Sequence, residues 1–208
     1  MPSQTSRSFL FHFFDVVLNI VIIVAIVAMI RTFIVSPFQI EGNSMVDTLE
    51  NKEYIVINKF RYLFKTPDRG DIVVFRPPTD PGKYYVKRVI GLPGETIVIR
   101  DGNVYLRNAD RKDTKIEEPY LSSINAGKTY RYPVQSGDTT EEAFEIPQGS
   151  YFLLGDNRQG SLDSRSFSHV DSEHTAFVPR GSIKGSVWFV ALPITKIHAF
   201  EAPTYVLP

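Results

Sequence analysis

The chain has 208 residues, no cysteine and a formal net charge of zero, with 23 basic and 23 acidic side chains. This length allows one sizeable core, or a main domain with a smaller appendage, and excludes two full-sized domains. The balanced charge, without a long basic stretch, argues against a nucleic-acid partner, and the lack of cysteine excludes disulfides, thiolate nucleophiles and cysteine-ligated zinc. We expect no metal at the four histidines, His12, His169, His174 and His198, because their spacing to nearby acids is not that of a metal site.

The first predicted element is one membrane-spanning helix. Residues 1–8 are polar, and residues 9–32 are dominated by Phe, Val, Ile and Ala, which as a helix covers roughly 30 Å of hydrocarbon. Asp15 is expected near the headgroups, since an ionised Asp at the bilayer centre costs about 2.5–3.5 kcal/mol. A cleavable signal peptide is the alternative, but the apolar run is long and only Arg7 precedes it. Arg31 follows the run, so charge alone does not orient the chain.

Beyond Pro37 the apolar run gives way to short alternating segments that predict β-structure. These segments are rich in β-branched and aromatic residues and are separated by Pro, Gly and Asp. The predicted strands are 54–58, 71–75, 84–90, 151–154 and 186–192.

The clearest local motif is a hairpin. Residues 96–100 and 103–107 alternate on both sides of Asp101-Gly102, a pair that tolerates positive φ. Residues 108–150 are mostly polar and are predicted to form an inserted loop or a small β-appendage. We therefore predict a mainly β fold: a transmembrane helix and then an antiparallel sheet or barrel-like domain, with its core in residues 33–107 and 151–208.

Two stretches hold a possible nucleophile and base. Ser44 lies in the segment 38–49, and taken alone it reads as an ordinary turn serine that caps its own backbone. A serine nucleophile needs a group that takes its proton, and Lys87 lies in a run of Tyr, Val and Ile that predicts an interior strand. Burial lowers a lysine pKa and makes the amine a usable base. The alternative is that Lys87 points to solvent from an alternating strand.

A third stretch, 155–165, follows an apolar strand and is dense in Gly, Asn, Asp, Ser and Arg. In one interpretation it is a surface turn, with Asp163 and Arg165 forming a local ion pair. In the other it supports the site: Ser161 orients the amine of Lys87, while Asp163 and Arg165 hold the loop that presents it.

Together these motifs resemble those of type I signal peptidases, the membrane-anchored Ser-Lys endopeptidases that remove signal peptides from exported proteins. The serine motif of that family reads S-M-x-P-T-L, and residues 44–49 match it except at Asp47, where proline is usual. The lysine motif matches at 85–95, the strand motif G-D-I-V-V-F at 70–75, and G-D-N-R-x-x-S-x-D-S-R at 155–165. The four motifs follow the family's order and cover most of the chain outside 108–150.

The resemblance implies a role for each site residue. Ser44 is the nucleophile, Lys87 the general base, and Ser161 the hydroxyl that positions Lys87, with Asp163 and Arg165 as structural supports. The backbone N–H of Ser44 is the expected oxyanion donor. Many relatives add a serine hydroxyl two positions earlier, where this chain has Gly42.

The resemblance also implies the substrate and its location. The family cleaves after small residues, and shallow apolar pockets for them are expected from Phe38, Ile40, Met45, Leu49, Tyr85 and Val86, with the substrate paired as an added strand. No cofactor is needed. The implied partners are preprotein signal peptides, the lipid bilayer and the export translocon. The expected location is the bacterial cytoplasmic membrane, with a single pass, the N-terminus in the cytoplasm and the catalytic domain on the outer face.

Two other hypotheses stay open at this point. Asp47 and the long insertion 108–150 motivate a specialised relative that trims a dedicated substrate, as pilin or conjugation-system peptidases do. A non-catalytic membrane-anchored scaffold is the other, and the joint presence of Ser44, Lys87 and Ser161 argues against it.

Overall fold

A computed structural model of the chain describes residues 4–170, 176–203 and 205. His174, one of the histidines considered as a metal ligand, lies outside these residues. Within the described ranges, no group of three or more His, Cys, Asp and Glu side chains is arranged to hold a metal ion.

The first element is a long apolar helix, α1 (Gln4–Phe33). Its segment Phe11–Phe33 has a mean hydropathy of 2.9 and is long and apolar enough to cross a membrane. The first strand, β1 (Val35–Gln39), begins two residues after the helix ends. Lys59 caps the last helical turn, since its Nζ donates to the carbonyls of Arg31 at 3.2 Å and Thr32 at 3.3 Å.

The rest of the described chain is mainly β. After β1 the strands are β2 (Tyr54–Asn58), β3 (Ile72–Phe75), β4 (Tyr85–Gly91), β5 (Thr96–Arg100), β6 (Asn103–Arg107), β7 (Asp113–Lys115), β8 (Glu142–Glu145), β9 (Ser150–Leu154), β10 (Val178–Pro179), β11 (Ile183–Leu192) and β12 (His198–Ala199). Two short helices, α2 (Arg61–Phe64) and α3 (Ser164–Val170), lie between strands. The prediction of a mainly β fold after an N-terminal helix is confirmed.

The larger sheet is antiparallel and contains Lys87, in β4. Its strand order is β1-β2-β11-β3-β4-β9-β10, and β12 pairs with β11. β1 forms one edge, where Pro37 is tolerated although it has no N–H to donate. β4 pairs with β3 over Tyr85 to Arg88, and with β9 only from Arg88 onwards.

A smaller sheet has the order β7-β6-β5-β8. Its centre is the predicted hairpin of β5 and β6, whose turn has positive φ at Asp101 (51°) and Gly102 (74°). A Cβ on Gly102 would lie 2.0 Å from the carbonyl oxygen of Gly127, so this turn requires glycine. Residues 108–150 contribute β7 and β8, so they extend the hairpin into a sheet.

Apolar clusters join these parts. One packs Ile97 and Val104 of the smaller sheet against Ile90 and Phe152 of the larger one. Another lies under the segment after β1, where Met45 and Leu49 are buried against residues of β2, β3 and β11. Full burial of such a side chain contributes about 1.5–3 kcal/mol, so Met45 and Leu49 anchor the turn that carries Ser44 to the core.

Candidate active site

Ser44 stands in a tight turn directly above the core. Thr48 and Leu49 both donate their N–H to the carbonyl of Met45 at 2.8 Å, which closes the turn behind Ser44. In front of it, Gly42 has a φ of +98°, a conformation that side chains rarely adopt. The backbone thus presents a half-buried Ser44, while the side chains of Met45 and Leu49 hold the turn down.

Lys87 reaches Ser44 from β4. Its side chain is 3 % exposed, and its Nζ lies 2.7 Å from Ser44 Oγ and 3.0 Å from the carbonyl oxygen of Val86. The interior strand expected from the sequence is present, with Lys87 paired to Val73 of β3. The structure therefore brings the two predicted dyad residues into hydrogen-bond contact.

Burial lowers the pKa of Lys87 from its ordinary 10.5 to about 8. The negative charges of Asp163 and Asp156 act in the opposite direction, and the positive charge of Arg165 adds to the lowering. A lysine with a pKa of about 8 has roughly one tenth of its amine unprotonated at pH 7. That fraction is enough for a general base, which an exposed lysine does not provide.

Ser161 is also near this centre. Its side chain is 7 % exposed, and its hydroxyl has no hydrogen-bond partner among the described residues. The Oγ of Ser161 lies over Gly155, where a Cβ would come within 2.2 Å of it and within 2.5 Å of the Ser44 carbonyl oxygen. The orienting hydrogen bond from Ser161 to Lys87 stays a prediction.

Asp163 and Arg165 form a buried ion pair behind the site. The guanidinium of Arg165 contacts both carboxylate oxygens of Asp163, at 2.9 and 2.8 Å, and the N–H of Gly155 donates to the same carboxylate at 3.1 Å. Burial alone would raise the pKa of Asp163, but the charge and hydrogen bonds of Arg165 hold it below its usual value. The pair is thus charged at neutral pH and ties the start of the loop 155–165 to its end.

The sequence analysis missed a second ion pair next to Lys87. Arg88 and Asp156 are both buried, and they are joined by two hydrogen bonds of 3.0 and 2.7 Å. Asp156 also accepts a hydrogen bond of 2.5 Å from the hydroxyl of Thr48, in the Ser44 turn. A cation in an apolar strand requires a buried acid nearby, and this signal could have led to Asp156, which lies two residues after the end of β9.

Asn157 is another functional candidate that the sequence analysis did not single out. Its backbone N–H donates to the carbonyl of Ser44 at 3.1 Å, and its side-chain Nδ2 donates to the carbonyl of Asn43 at 3.0 Å. Only the density of polar residues in 155–165 hinted at it.

Residues 108–150 brace the same loop. The fully buried Arg158 pairs with Glu118 of this region and donates to the hydroxyl of Thr129 at 2.6 Å. Its backbone N–H donates to Asn125 Oδ1 at 2.9 Å. The predicted appendage is therefore attached to the loop that carries Ser161 and Asp163.

A cleft of about 390 Å³ opens beside Ser44 and Lys87. Of the six residues predicted to line substrate pockets, the cleft is lined by Phe38, Ile40, Met45, Tyr85 and Val86. Leu49 is fully buried in the core beneath the turn and does not line the cleft.

Both walls of the cleft have backbone groups turned towards it. Ile40 uses its N–H and its carbonyl to bond Glu53 and Lys52, at 2.8 and 2.9 Å, on the side away from the cleft. Because backbone groups alternate along an extended strand, those of Gln39, the last residue of β1, point to the opposite side, and Gln39 lines the cleft. Across it, the part of β4 before Arg88 is paired only with β3 among the described strands. An extended peptide fits between these two edges.

The comparison with known families agrees with this arrangement. The sequence model of the family described as "Signal peptidase, peptidase S26" matches residues 13–192. The chain belongs to this signal peptidase family. The resemblance inferred from the four motifs is thereby confirmed, and so is the prediction that the protein is a serine peptidase.

Curated signal peptidases cover most of the chain. It is 41 % identical to "Signal peptidase I U" of Bacillus subtilis over 161 residues, which are 76 % of this chain and 80 % of the relative. It is 35 % identical to "Signal peptidase I" of Bacillus licheniformis over 189 residues, 89 % of this chain and 91 % of the relative. A crystal structure of a signal peptidase I from Enterococcus faecalis aligns with a TM-score of 0.43 and 32 % identity, over 59 % of this chain and 97 % of that one.

Signal peptidase membership supports cleavage of signal peptides as the activity of this chain. Together with the apolar segment Phe11–Phe33, it also supports a membrane-anchored enzyme.

Proposed function

We propose that the protein is a membrane-bound endopeptidase that removes N-terminal signal peptides from exported preproteins by acyl transfer from a Ser-Lys dyad. The observation that carries this proposal is the distance of 2.7 Å between Ser44 Oγ and a buried Lys87 amine, at the edge of an open cleft. A serine is a weak nucleophile, and an adjacent unprotonated base is what makes it reactive.

In the first half of the reaction, Ser44 Oγ attacks the scissile carbonyl and its proton passes to Lys87. The carbonyl oxygen becomes an oxyanion, which accepts a hydrogen bond from the Ser44 backbone N–H. The C–N bond then breaks, the signal peptide remains bound to Ser44 as an ester, and the mature protein leaves with the proton from Lys87.

In the second half, water attacks the ester and Lys87 takes the proton of that water. The C–O bond to Ser44 breaks, the signal peptide leaves as a carboxylic acid, and Ser44 recovers its proton. Ser161 is proposed to orient the amine of Lys87, and the Asp163–Arg165 pair to hold the loop in place.

The cleft supports a substrate that binds as an added strand. Its backbone would pair with Gln39 on one side and with the segment before Arg88 on the other. Ile40, Met45 and other apolar side chains fill the space beside Ser44. Small residues before the cut, such as alanine, fit the remaining room.

We also propose a single-pass topology in the bacterial cytoplasmic membrane, with the N-terminus in the cytoplasm and the cleft on the outer face, where preproteins leave the translocon. The apolar α1 supports the anchor. Lys59 bonds the end of α1 and directly precedes exposed apolar side chains of the α2 region, Phe60, Leu63 and Phe64. An apolar surface at this position supports contact with the bilayer.

Cleavage of a preprotein by the full-length enzyme in lipid vesicles tests the proposal. Ser44→Ala and Lys87→Ala are each expected to abolish cleavage, while Ser136→Ala and Lys115→Ala, which change exposed residues of the region 108–150, keep it. Mass spectrometry of the products is expected to give a single cut after a small residue. Undiminished cleavage by either dyad variant would contradict the mechanism.

The specialised-relative and scaffold hypotheses are less favoured. A scaffold has no need of a desolvated lysine beside a serine, because burial of the charged amine costs stability. Rescue of bulk export in cells that lack their own signal peptidase is expected, whereas a dedicated enzyme would fail to rescue them.

A further inference from the structure

Asn157 holds the backbone on both sides of Ser44. Its side-chain Nδ2 donates to the carbonyl oxygen of Asn43 at 3.0 Å. Its backbone N–H donates to the carbonyl oxygen of Ser44 at 3.1 Å. These two carbonyls belong to the peptide units before and after the Cα of Ser44, so one residue of the loop 155–165 restrains both planes.

The first of these peptide units contains the proposed oxyanion donor. The carbonyl of Asn43 and the N–H of Ser44 are opposite ends of the same planar amide, so a hydrogen bond that orients the carbonyl also orients the N–H. A bond to the carbonyl oxygen polarises the amide as well, and such coupling strengthens neighbouring hydrogen bonds by about 10–30 %. The side chain of Asn157 therefore aims the donor and makes it more acidic.

The orientation of the Asn157 amide is determined by its surroundings. Its Oδ1 accepts from the backbone N–H of Gly160 at 3.1 Å, which leaves Nδ2 as the group that faces Asn43. A Cβ on Gly160 would lie only 2.8 Å from Nδ2. Glycine at position 160 thus leaves the space that the amide occupies.

The direction of the Ser44 N–H matters more here than in a site with two oxyanion donors. Gly42 supplies no hydroxyl as a second oxyanion donor, and the turn lies at the rim of the open cleft. The oxyanion is then stabilised mainly by one backbone N–H, whose direction decides how much stabilisation it supplies.

We propose that Asn157 is the positioning residue for the oxyanion donor of this enzyme. Through the Asn43–Ser44 peptide it directs and polarises the Ser44 N–H without touching substrate. The inference rests on the proposed function, since it assumes that Ser44 is the nucleophile.

The test compares full-length wild-type enzyme with Asn157→Asp, which has nearly the same shape but places an acceptor against the Asn43 carbonyl. Loss of a whole oxyanion-hole donor costs about 10²–10³ in kcat, so a misdirected donor is expected to reduce kcat about 10- to 100-fold, with KM changed little. Asn108→Asp makes the same chemical change at an exposed turn and is expected to leave kcat as it was.

Two inhibitors of the same peptide sequence distinguish a positioning role of Asn157 from a merely structural one, because only one of them forms an oxyanion. A peptide ending in alaninal adds to Ser44 and forms a tetrahedral oxyanion, whereas the matching alaninol binds without reaction. For Asn157→Asp the affinity for the aldehyde is expected to fall by the same factor as kcat, and the affinity for the alcohol to stay within about twofold.

Equal loss of affinity for both inhibitors, or an unchanged kcat, would overturn the role of Asn157. If Asn157→Asp does not fold, Gly160→Ala serves instead, because its Cβ displaces the same amide. The ratio of its affinities for the aldehyde and the alcohol is then compared with that of the wild type, and an unchanged ratio overturns the proposal. Failure of the proposed function gives a different result, in which Ser44→Ala cleaves as well as wild type.

Discussion

Replacement of Lys87 by methionine is expected to change the pH dependence of folding stability in a defined way. Lys87 is 3 % exposed, and burial lowers its pKa to about 8, whereas in the unfolded chain it has the ordinary value of 10.5. Below pH 8 the amine is protonated in both states, and the folded protein bears the full cost of burying the charge. Between pH 8 and 10.5 only the unfolded chain holds the proton, so the stability of the wild type rises with pH.

The size of this effect follows from the two pKa values. The difference between 10.5 and about 8 corresponds to about 3 kcal/mol of folding free energy. Lys87→Met removes the titrating group and keeps an unbranched side chain of similar length. It also removes the contacts with Ser44 Oγ and the Val86 carbonyl, each worth about 0.5–1.5 kcal/mol, but that loss is nearly the same at every pH.

The difference in unfolding free energy between wild type and Lys87→Met therefore isolates the lysine. It is expected to shift in favour of the wild type by about 3 kcal/mol from pH 7 to pH 10.5. Urea unfolding in detergent micelles measures it through the fluorescence of Trp188, the single tryptophan, which lies in β11 and so reports on the β-domain. Other titrating groups are common to both proteins and cancel in the difference.

A difference that stays constant from pH 7 to pH 10.5 would refute this reasoning. It would mean that the amine of Lys87 is as well solvated in the folded protein as in the unfolded chain. The explanation of how Lys87 becomes a base would then be wrong, whatever the activity of the enzyme.

Three further predictions concern the pH dependence of activity, the buried Asp163–Arg165 ion pair and the exposed Asp47. The value of kcat/KM is expected to rise about tenfold from pH 7 to pH 9 and then level off, because the free amine of Lys87 titrates with a pKa of about 8; Lys87→Arg is expected to be inactive, and a rate that still climbs steeply above pH 9 would contradict the assignment. Arg165→Met leaves the charge of Asp163 buried without its partner, so urea unfolding is expected to show a loss of about 3–5 kcal/mol. Arg131→Met, which breaks a pair at the surface, is expected to lose far less. Asp47→Pro is expected to keep activity and to add about 0.4–1 kcal/mol of stability through lower loop entropy, since Asp47 is exposed; a large loss of activity in a folded variant would give Asp47 a role of its own.

The strands that the sequence predicted are those with strong local signals. The hairpin of β5 and β6 has alternating residues around an Asp-Gly turn, and its bounds were predicted to the residue. β1 was missed because it contains Pro37 and is identified only by its pairing with β2. β7 and β8 are short and polar, and they form because the hairpin offers two free edges. Such pairing depends on tertiary position and leaves little trace in local composition.

The residues of the candidate site also divide into those with a local sequence signal and those placed only by tertiary contacts. Ser44 and Lys87 could be named from motifs, and the burial of Lys87 from the apolar run around it. The contacts that hold them could not be named, since they join distant residues: Asp156 meets Thr48 across 108 positions, and Asn157 meets Asn43 across 114. These contacts exist only once β4 and β9 are paired in their register.

The direct connection between α1 and β1 has a consequence for substrate choice. α1 ends at Phe33, β1 starts at Val35, and the ammonium of Lys59 joins the last helical turn to the sheet. The five residues of β1 rise about 17 Å towards the cleft. In the proposed topology, this short connection limits how far Ser44 can lie from the lipid surface. A preprotein whose cleavage site follows its apolar segment too closely is then expected to be cleaved poorly, because its scissile bond would not reach Ser44.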